Sequence, residues 1–336
     1  MAKTRRNTEL IRDFILDNID DNQKELISHV ASKFGISRQS VHRHIKFLVD
    51  QKILIHTEYG QYEIGGVEQW SETLSISDHT QEDVVWRIII APQIGKLPDN
   101  SLNIWHYGFT EMFNNVVDHS EGNRVTVTIK KTAYTTEMSI LDDGVGVFSK
   151  IKNAMNLLDE RHAVLELTKG KLTTDPARHT GEGIFFSSRM FDSFSILSGE
   201  VFLSHKYKNE EDWILENSKY QPGTFVTMKL KNKTERSMRE IFDKFTDNFG
   251  FTKTVVPVRL AQYGNEKLVS RSQAKRLLER VDRFKTVLFD FSEVEIIGQA
   301  FADEVFRVFA SGHPDIKIYP VNANDDVERI IQQALV

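Results

Sequence analysis

Two pairs of glycines, each with one residue between them, constrain the fold of this chain more than any other feature. Gly144 and Gly146 follow an alternating strand that ends at Leu141, and Gly181 and Gly183 precede an apolar run of helical spacing. The first pair lets the backbone turn sharply and allows a flat ring to approach closely. The second pair opens onto a helix N-terminus, where free N–H groups favour a phosphate. Both junctions therefore suit a ligand.

The segment EMFNNVVDHS, upstream of these glycines, carries several polar groups at helical spacing. Glu111 and Asn115 lie four residues apart and share one helix face, with Asp118 and His119 one turn further along. An Asn offers a neutral oxygen to Mg²⁺, and a Glu can orient or deprotonate a water. Asn114 falls outside this face by its spacing. Alone, the pattern also fits a solvated helix, because polar residues four apart are common on helix surfaces.

Two further features extend the pattern. Asp142 lies at the base of the first glycine turn, where its carboxylate can accept a hydrogen bond from an exocyclic amine. Gly223 and Thr224 begin another alternating strand, in QPGTFVTMKL.

In this order, Glu-x-x-x-Asn, Asp-x-Gly-x-Gly, Gly-x-Gly and Gly-Thr resemble the GHKL family (gyrase, the heat-shock chaperone ATPase, histidine kinases and MutL) over about residues 70 to 235. The resemblance implies helices layered on a mixed, largely antiparallel sheet, an α/β sandwich that holds ATP and Mg²⁺ under a mobile lid. Residues 147–180 are polar and rich in turn formers, as such a lid would be. Within them, Arg178 and His179 are candidate phosphate contacts.

The same resemblance assigns roles to single residues. Asn115 would coordinate the Mg²⁺ that bridges the phosphates, Asp142 would hold the adenine amino group, and Glu111 matches the residue that activates water in the family's hydrolases. The other implied cofactor-binding positions are Gly144 and Gly146 at the adenine pocket, Gly181 and Gly183 at the phosphates, Thr224 near the adenine or a phosphate, and His119 near a phosphate. A capping or core role for His119 is equally open, and Asp143 is expected to be a solvated neighbour.

Residues 1–68 have the pattern of a DNA-binding module. Three amphipathic helices are predicted, with inward residues Leu10, Ile11, Phe14, Ile15 and Ile19, then Leu26, Ile27 and Val30, then Val41, Ile45 and Leu48. Ser37 follows a glycine turn and is the predicted N-cap of the third helix. Residues 53–64 alternate and turn at Gly60, as a hairpin does. This order resembles the winged helix-turn-helix fold of transcription regulators, whose recognition helix enters the major groove.

The predicted outer face of the third helix supplies the candidate DNA contacts, which are Arg38, Gln39, His42 and Arg43. The forks of Gln and Arg match adenine and guanine edges. A helical protein-interaction module is the alternative, because acidic residues are nearly as common as basic ones in this region.

The last hundred residues alternate strands with helices, which predicts an α/β layer with parallel pairing. The run VLFDFSEVEIIGQAFADEVFRVF resembles the STAS domain of anti-sigma-factor antagonists, and we expect a STAS-like α/β domain over 236–336. That family's phosphorylatable Ser or Thr would fall near Gly298, Gln299 and Ala300, where neither is present. A docking, signal-sensing or purely structural role remains.

Chain length and composition agree with a multidomain α+β and α/β protein. At 336 residues the chain suits about two or three domains, and we divide it into 1–68, 69–235 and 236–336. Cysteine is absent, the net charge is −5, no secretory signal opens the chain, and the most apolar run, 84–91, is too short to cross a bilayer. We therefore expect a cytoplasmic protein.

The favoured interpretation is an ATP-dependent DNA-binding regulator. Binding of Mg-ATP, with slow hydrolysis or none, would switch domain packing, dimerisation or DNA occupancy, and the STAS-like domain would meet a protein partner. Sensor kinases commonly carry a Lys three residues after the metal-binding Asn, whereas this chain has Asp118, and His79 lacks the helical surroundings of a phosphoacceptor. The alternatives are an anti-sigma-type serine/threonine kinase acting on a partner, and a non-enzymatic scaffold.

Overall fold

The computed structural model describes residues 2–19, 23–57, 61–77, 80–173, 181–207, 211–248, 250–262 and 266–335, with the backbone alone for 2–6, 23–24 and 211–219. The predictions made for Gly60, His79, Arg178 and His179 lie outside these residues. No helix in the described part of the chain is both long and apolar enough to cross a bilayer.

The N-terminal part consists of helices and a short antiparallel hairpin, which are α1 (Ala2–Asp17), α2 (Gln23–Phe34), α3 (Arg38–Asp50), β1 (Leu54–His56) and β2 (Tyr62–Ile64). The predicted apolar stripes are buried or half-buried, except that Leu10 is exposed and Leu16 takes an inward place instead. Ser37 caps α3 as predicted, because its hydroxyl accepts a hydrogen bond from the Ser40 N–H at 3.2 Å.

The middle part is built on a five-stranded sheet whose strands are β3 (Glu68–Ser75), β4 (Arg124–Lys131), β5 (Thr135–Asp142), β6 (Ser193–Lys206) and β7 (Glu211–Lys231). Their order is β3-β4-β5-β7-β6, and every described pairing is antiparallel. The mixed sheet that the family resemblance implied is therefore not found in these pairings. Adjacent strands in the chain pair as hairpins, β4 with β5 and β6 with β7, which enforces the antiparallel direction.

Helices cover one face of this sheet. They are α4 (Glu82–Val85, continued by a π-helical Trp86–Ile90 and by Ala91–Ile94), α5 (Asp99–His119), α6 (Val147–Met155), α7 (Glu160–Lys169) and α8 (Gly183–Met190). Alternate strand residues such as Val125, Val127 and Ile129 are fully buried beneath them, as expected of a sheet with one covered face.

The lid predicted over 147–180 is wrong for the part that the structure describes. Residues 147–173 contain α6 and α7, and all of 162–170 is buried. Asp159 caps α7 by accepting from the His162 N–H at 2.9 Å. Two of its charged residues, Glu166 and Lys169, pair inside the protein rather than face water.

The C-terminal part alternates strands and helices. Its elements are α9 (Met238–Phe245), β8 (Thr246–Asp247), β9 (Gly250–Phe251), β10 (Lys253–Pro257), α10 (Arg271–Leu278), β11 (Thr286–Asp290), α11 (Gln299–Ala302, a π-helical Asp303–Phe309 and Ala310–Gly312), β12 (Lys317–Val321) and α12 (Asp325–Ala334). Strands β10, β11 and β12 pair in parallel, as predicted. Ser270 caps α10 and Asn324 caps α12.

Two apolar cores organise the chain. One is confined to the N-terminal helices and hairpin, while the other runs continuously through the middle and C-terminal parts. Aromatic rings join the second core across the boundary. Phe185 and Phe186 of α8, for example, pack against Phe245 and Phe251. The middle and C-terminal parts are therefore packed together tightly.

Candidate functional site

A cavity of about 280 Å³ opens between α5, the end of β5, α6 and the start of α8. The sequence-predicted residues that line it are Glu111, Asn115, His119, Asp142, Gly181, Gly183 and Thr224. Apolar side chains such as Ile140, Ile196 and Val226 line the rest of the wall. A largely apolar cleft with a few convergent polar groups is the usual form of a small-molecule site.

Asp142 joins two of the predicted motifs. Its Oδ1 accepts hydrogen bonds from the Gly144 N–H at 2.8 Å and from the Thr224 N–H at 3.2 Å. The two motifs meet because β5 pairs with β7. Burial raises the pKa of Asp142, while these hydrogen bonds lower it. At Gly223, where φ is +71°, a Cβ would lie 2.9 Å from the same Oδ1, so glycine is needed for this approach.

Gly144 and Gly146 lie beside the cavity and are not among the residues that line it. A Cβ on Gly144 would overlap Ser120 at the end of α5, and one on Gly146 would lie 2.5 Å from the Ser198 hydroxyl. These glycines therefore shape the pocket indirectly, by letting the turn after β5 pack against α5 and β6. Asp143 is exposed but is more than a solvated neighbour, since its Oδ1 accepts from the N–H groups of Asn123 and Arg124.

One face of α5 supplies three of the polar groups that line the cavity. Glu111, Asn115 and His119 lie on it as predicted, whereas Asp118 is exposed and outside the lining. Asn114, which the spacing excluded, also lines the cavity, because the cleft spans a wider arc of α5 than one row of residues.

Glu111 faces a second carboxylate that the motif analysis did not identify. Burial and the charge of Glu182 both raise the pKa of Glu111, and burial likewise raises that of Glu182. Glu182 is the middle residue of Gly-Glu-Gly, so its place between two motif glycines was the signal available in the sequence. A Cβ at Gly183 would overlap the Glu111 carboxylate, so this glycine makes room for the acid.

The chain on either side of residues 174–180 is held together at the cavity. The Leu172 N–H donates to the Gly181 carbonyl at 3.2 Å, and Leu172 and Thr173 line the cavity with Gly181. A Cβ at Gly181, where φ is +70°, would overlap the Leu172 backbone. Glycine is therefore required at position 181, next to the Leu172 backbone.

Lys150 is a lining residue that the motif analysis missed. Its ammonium donates to the His119 carbonyl and to the Glu121 carboxylate, both at 2.8 Å. The one indication in the sequence was its position one turn after Gly146. The helix that begins after this glycine runs beside the cavity.

The N-terminal candidate surface is the outer face of α3. Gln39, His42 and Arg43 are exposed there. Arg38 is also exposed, but its guanidinium donates to the Ser28 hydroxyl of α2 at 2.9 Å, so it is partly committed to that contact. This face therefore offers cationic and amide donors side by side.

Polar contacts fasten the N-terminal part to the middle sheet. The Tyr134 hydroxyl donates to Asp17 of α1 at 3.0 Å, and Lys231 forms an ion pair with the same carboxylate at 3.1 Å. The Ala133 N–H donates to the Gly65 carbonyl at 2.9 Å. These contacts join α1 and the residue after the hairpin to the sheet.

His162, Glu166 and Glu279 form a group whose ligand atoms all lie within 4.8 Å of one another. The Lys169 ammonium, fully buried, lies 2.5 Å from Glu166 Oε1 and donates to the Glu279 carbonyl at 2.7 Å. A lysine thus already supplies the positive charge that a metal would bring, and the cluster serves as a bridge between α7 and the C-terminal part.

The comparison with known proteins concerns the C-terminal part. No curated protein matches the chain. A family model described as a STAS-like domain of unknown function (DUF4325) matches residues 273–328. That range covers most of α10, all of β11, α11 and β12, and the start of α12. The C-terminal part of this mixed α/β protein is STAS-like.

Proposed function

We propose that this protein is an ATP-dependent DNA-binding regulator, in which Mg-ATP bound in the central cavity controls DNA occupancy. The observation that carries the proposal is that motifs far apart in the sequence line one cavity, with Asp142 bonded to both Gly144 and Thr224. The adenine amine would donate to Asp142, at the end of the cleft walled by β5 and β7.

The phosphate end would lie between α5 and α8. Asn115 would offer its carboxamide oxygen to Mg²⁺, which prefers oxygen ligands and substrate phosphates. Gly181 and Gly183 would bring the α8 N-terminus close to the phosphates, where backbone N–H groups and the helix dipole favour negative charge. Mg²⁺ would supply positive charge to the phosphate oxygens of the bound nucleotide.

Glu111 is suited to orienting or deprotonating a water. Its raised pKa brings it closer to neutral pH than an ordinary glutamate, which favours proton transfer in both directions. We expect hydrolysis to be slow, so the bound nucleotide acts as a switch rather than as a consumed substrate.

DNA would bind the outer face of α3 through Gln39, His42 and Arg43, which are exposed. The nucleotide can shift DNA binding only by its differential affinity for the DNA-bound and free arrangements. Polar contacts of Asp17 with Tyr134 and Lys231 connect the N-terminal part directly to the sheet that walls the cavity.

Calorimetric titration of the full chain with Mg-ATP tests the nucleotide proposal. We expect Asn115→Ala and Asp142→Ala to abolish binding, and Glu111→Ala to keep binding but suppress hydrolysis. Asn103→Ala is the matched control, because Asn103 is exposed on the same helix and outside the cavity lining. Equal affinity in all variants would refute the site.

A protein kinase of the anti-sigma type is the second candidate. The observation that favours it is the STAS-like C-terminal part, because the sequence there resembles the STAS domain of anti-sigma-factor antagonists. Incubation with γ-labelled ATP and lysate proteins separates the two. Label on a partner protein supports the kinase, whereas free phosphate or unchanged ATP supports the switch.

A further inference from the structure

The cavity is acidic, with a single permanent cation in its described lining. Glu111, Asp142 and Glu182 are lining residues, and Lys150 is the one lysine or arginine among the described residues that line the cavity. Lys171 lies outside this lining, although its charge acts on Glu182. A polyphosphate entering such a cleft meets carboxylates on several sides. A fixed positive charge in the wall therefore contributes more to phosphate binding here than it would in a basic pocket, where other cations already attract the phosphates.

Lys150 is held in place by the local fold. It lies on α6, whose first residue follows Gly146, so the glycine turn after β5 sets the direction of this helix. The ammonium carries three N–H donors, and the structure gives it the His119 carbonyl and the Glu121 carboxylate as acceptors. Among the described residues, these two acceptors account for two of the three donors, and Lys150 itself lines the cavity.

The partner carboxylate binds Lys150 weakly. The Glu121 side chain is 62% exposed, so water competes strongly for the pair. A phosphate in the cleft would offer an alternative acceptor with a higher charge, and charge-assisted hydrogen bonds to phosphate are among the stronger ones.

We infer that Lys150 binds a phosphate of the nucleotide and so makes the cavity selective for phosphorylated ligands over the bare nucleoside. This inference rests on the proposed function. Lys150 reaches the C-terminal end of α5 from the neighbouring helix, where its ammonium donates to the His119 carbonyl.

The test compares Mg-ATP with adenosine in calorimetric titrations of the full chain. Lys150→Met keeps most of the apolar stem while removing the charge. We expect it to weaken Mg-ATP binding by roughly 10- to 100-fold, the range for one hydrogen bond to a charged group, and to leave adenosine affinity unchanged. Lys152→Met is the matched control on the same helix, outside the cavity lining, and should bind both ligands like the parent.

A second variant separates ligand binding from a structural role. Glu121→Gln removes the carboxylate that competes for Lys150, so we expect tighter Mg-ATP binding and unchanged adenosine binding. Parental Mg-ATP affinity in Lys150→Met, or equal losses for both ligands, would overturn the inference about Lys150 alone. A parent that binds neither ligand would remove the proposed function as well.

Discussion

Arg283 and Lys171 each donate a side-chain hydrogen bond to the other's backbone carbonyl, across the boundary between the middle and C-terminal parts. The Arg283 guanidinium donates to the Lys171 carbonyl at 3.2 Å, and the Lys171 ammonium donates to the Arg283 carbonyl at 2.9 Å. Arg280 adds a hydrogen bond to the same Lys171 carbonyl at 2.7 Å. The next two residues, Leu172 and Thr173, line the cavity. The C-terminal part therefore holds the backbone in place at the edge of the cavity.

A first prediction concerns the buried ion pair beside this contact, which joins Lys169 and Glu166. Lys169→Met should lower the free energy of unfolding by about 3 kcal/mol, the low end of the range for a broken buried ion pair, because Glu166 loses its closest partner and keeps the longer ion pair with Arg280 at 3.5 Å. Denaturant unfolding monitored by circular dichroism measures the effect. Adding Glu166→Gln to this variant should restore most of the stability, and a double variant as unstable as the single one would contradict the explanation.

A second prediction concerns the proposed contact between Asp142 and adenine, which Asp142→Asn tests. A carboxamide has only one oxygen, and the Gly144 and Thr224 N–H groups would use it, so the NH₂ group would face the adenine amine. We expect Mg-ATP affinity to fall at least about 10-fold, with the melting temperature within a few degrees of the parent. Unchanged affinity would show that the adenine does not contact this residue.

The pH dependence of stability makes a third prediction. The pKa of Glu111 is raised in the folded protein by burial and by Glu182, so folding favours its protonated form. The stability that Glu111 contributes in this way is fully present below its pKa in the unfolded chain, and it is lost as pH rises through its pKa in the folded protein. Glu111→Gln should therefore stabilise the protein at neutral pH and lose this advantage in mild acid. Melting temperatures across that pH range measure the difference, and Glu235→Gln, an exposed site, is the control.

DNA binding makes a fourth prediction. Arg43→Ala and Gln39→Ala should each weaken binding to DNA from the protein's own upstream region by about 1–3 kcal/mol if they contact base edges. Lys130→Ala, on the exposed end of a sheet strand, should have no effect. Fluorescence anisotropy at several salt concentrations provides the measurement. Parental affinity in both α3 variants, or binding insensitive to salt, would exclude this surface.

The sequence predicted local structure well where a short-range signal determines it. Ser37 as a helix cap, the buried stripe of α3 and the parallel pairing of the C-terminal strands are all confirmed, because caps and apolar periodicity act over a few residues. The placement of Asp142 beside Thr224 depends on strand pairing, and the motif order anticipated it only through the family resemblance.

Tertiary burial explains the predictions that failed. The sequence predicts a lid over 147–180 because this segment is polar and rich in turn formers, yet its residues 162–170 are buried, and Lys169 pairs with Glu166 among them. Lys150 and Glu182 carried no recognisable motif of their own. Their positions in the cavity follow from the directions of α6 and α8, which periodicity within one segment does not define.

Strand β5 reaches from the N-terminal helices to the cavity. Tyr134, the residue before it, contacts Asp17 of α1, and Asp142 ends it on the cavity wall, a span on the order of 25 Å for a strand of this length. Because β4 and β7 pair with it on both sides, hydrogen bonds restrain the strand along its length. The contact with α1 and the cavity wall are therefore the two ends of one hydrogen-bonded element, and we expect a displacement of either end to shift the other.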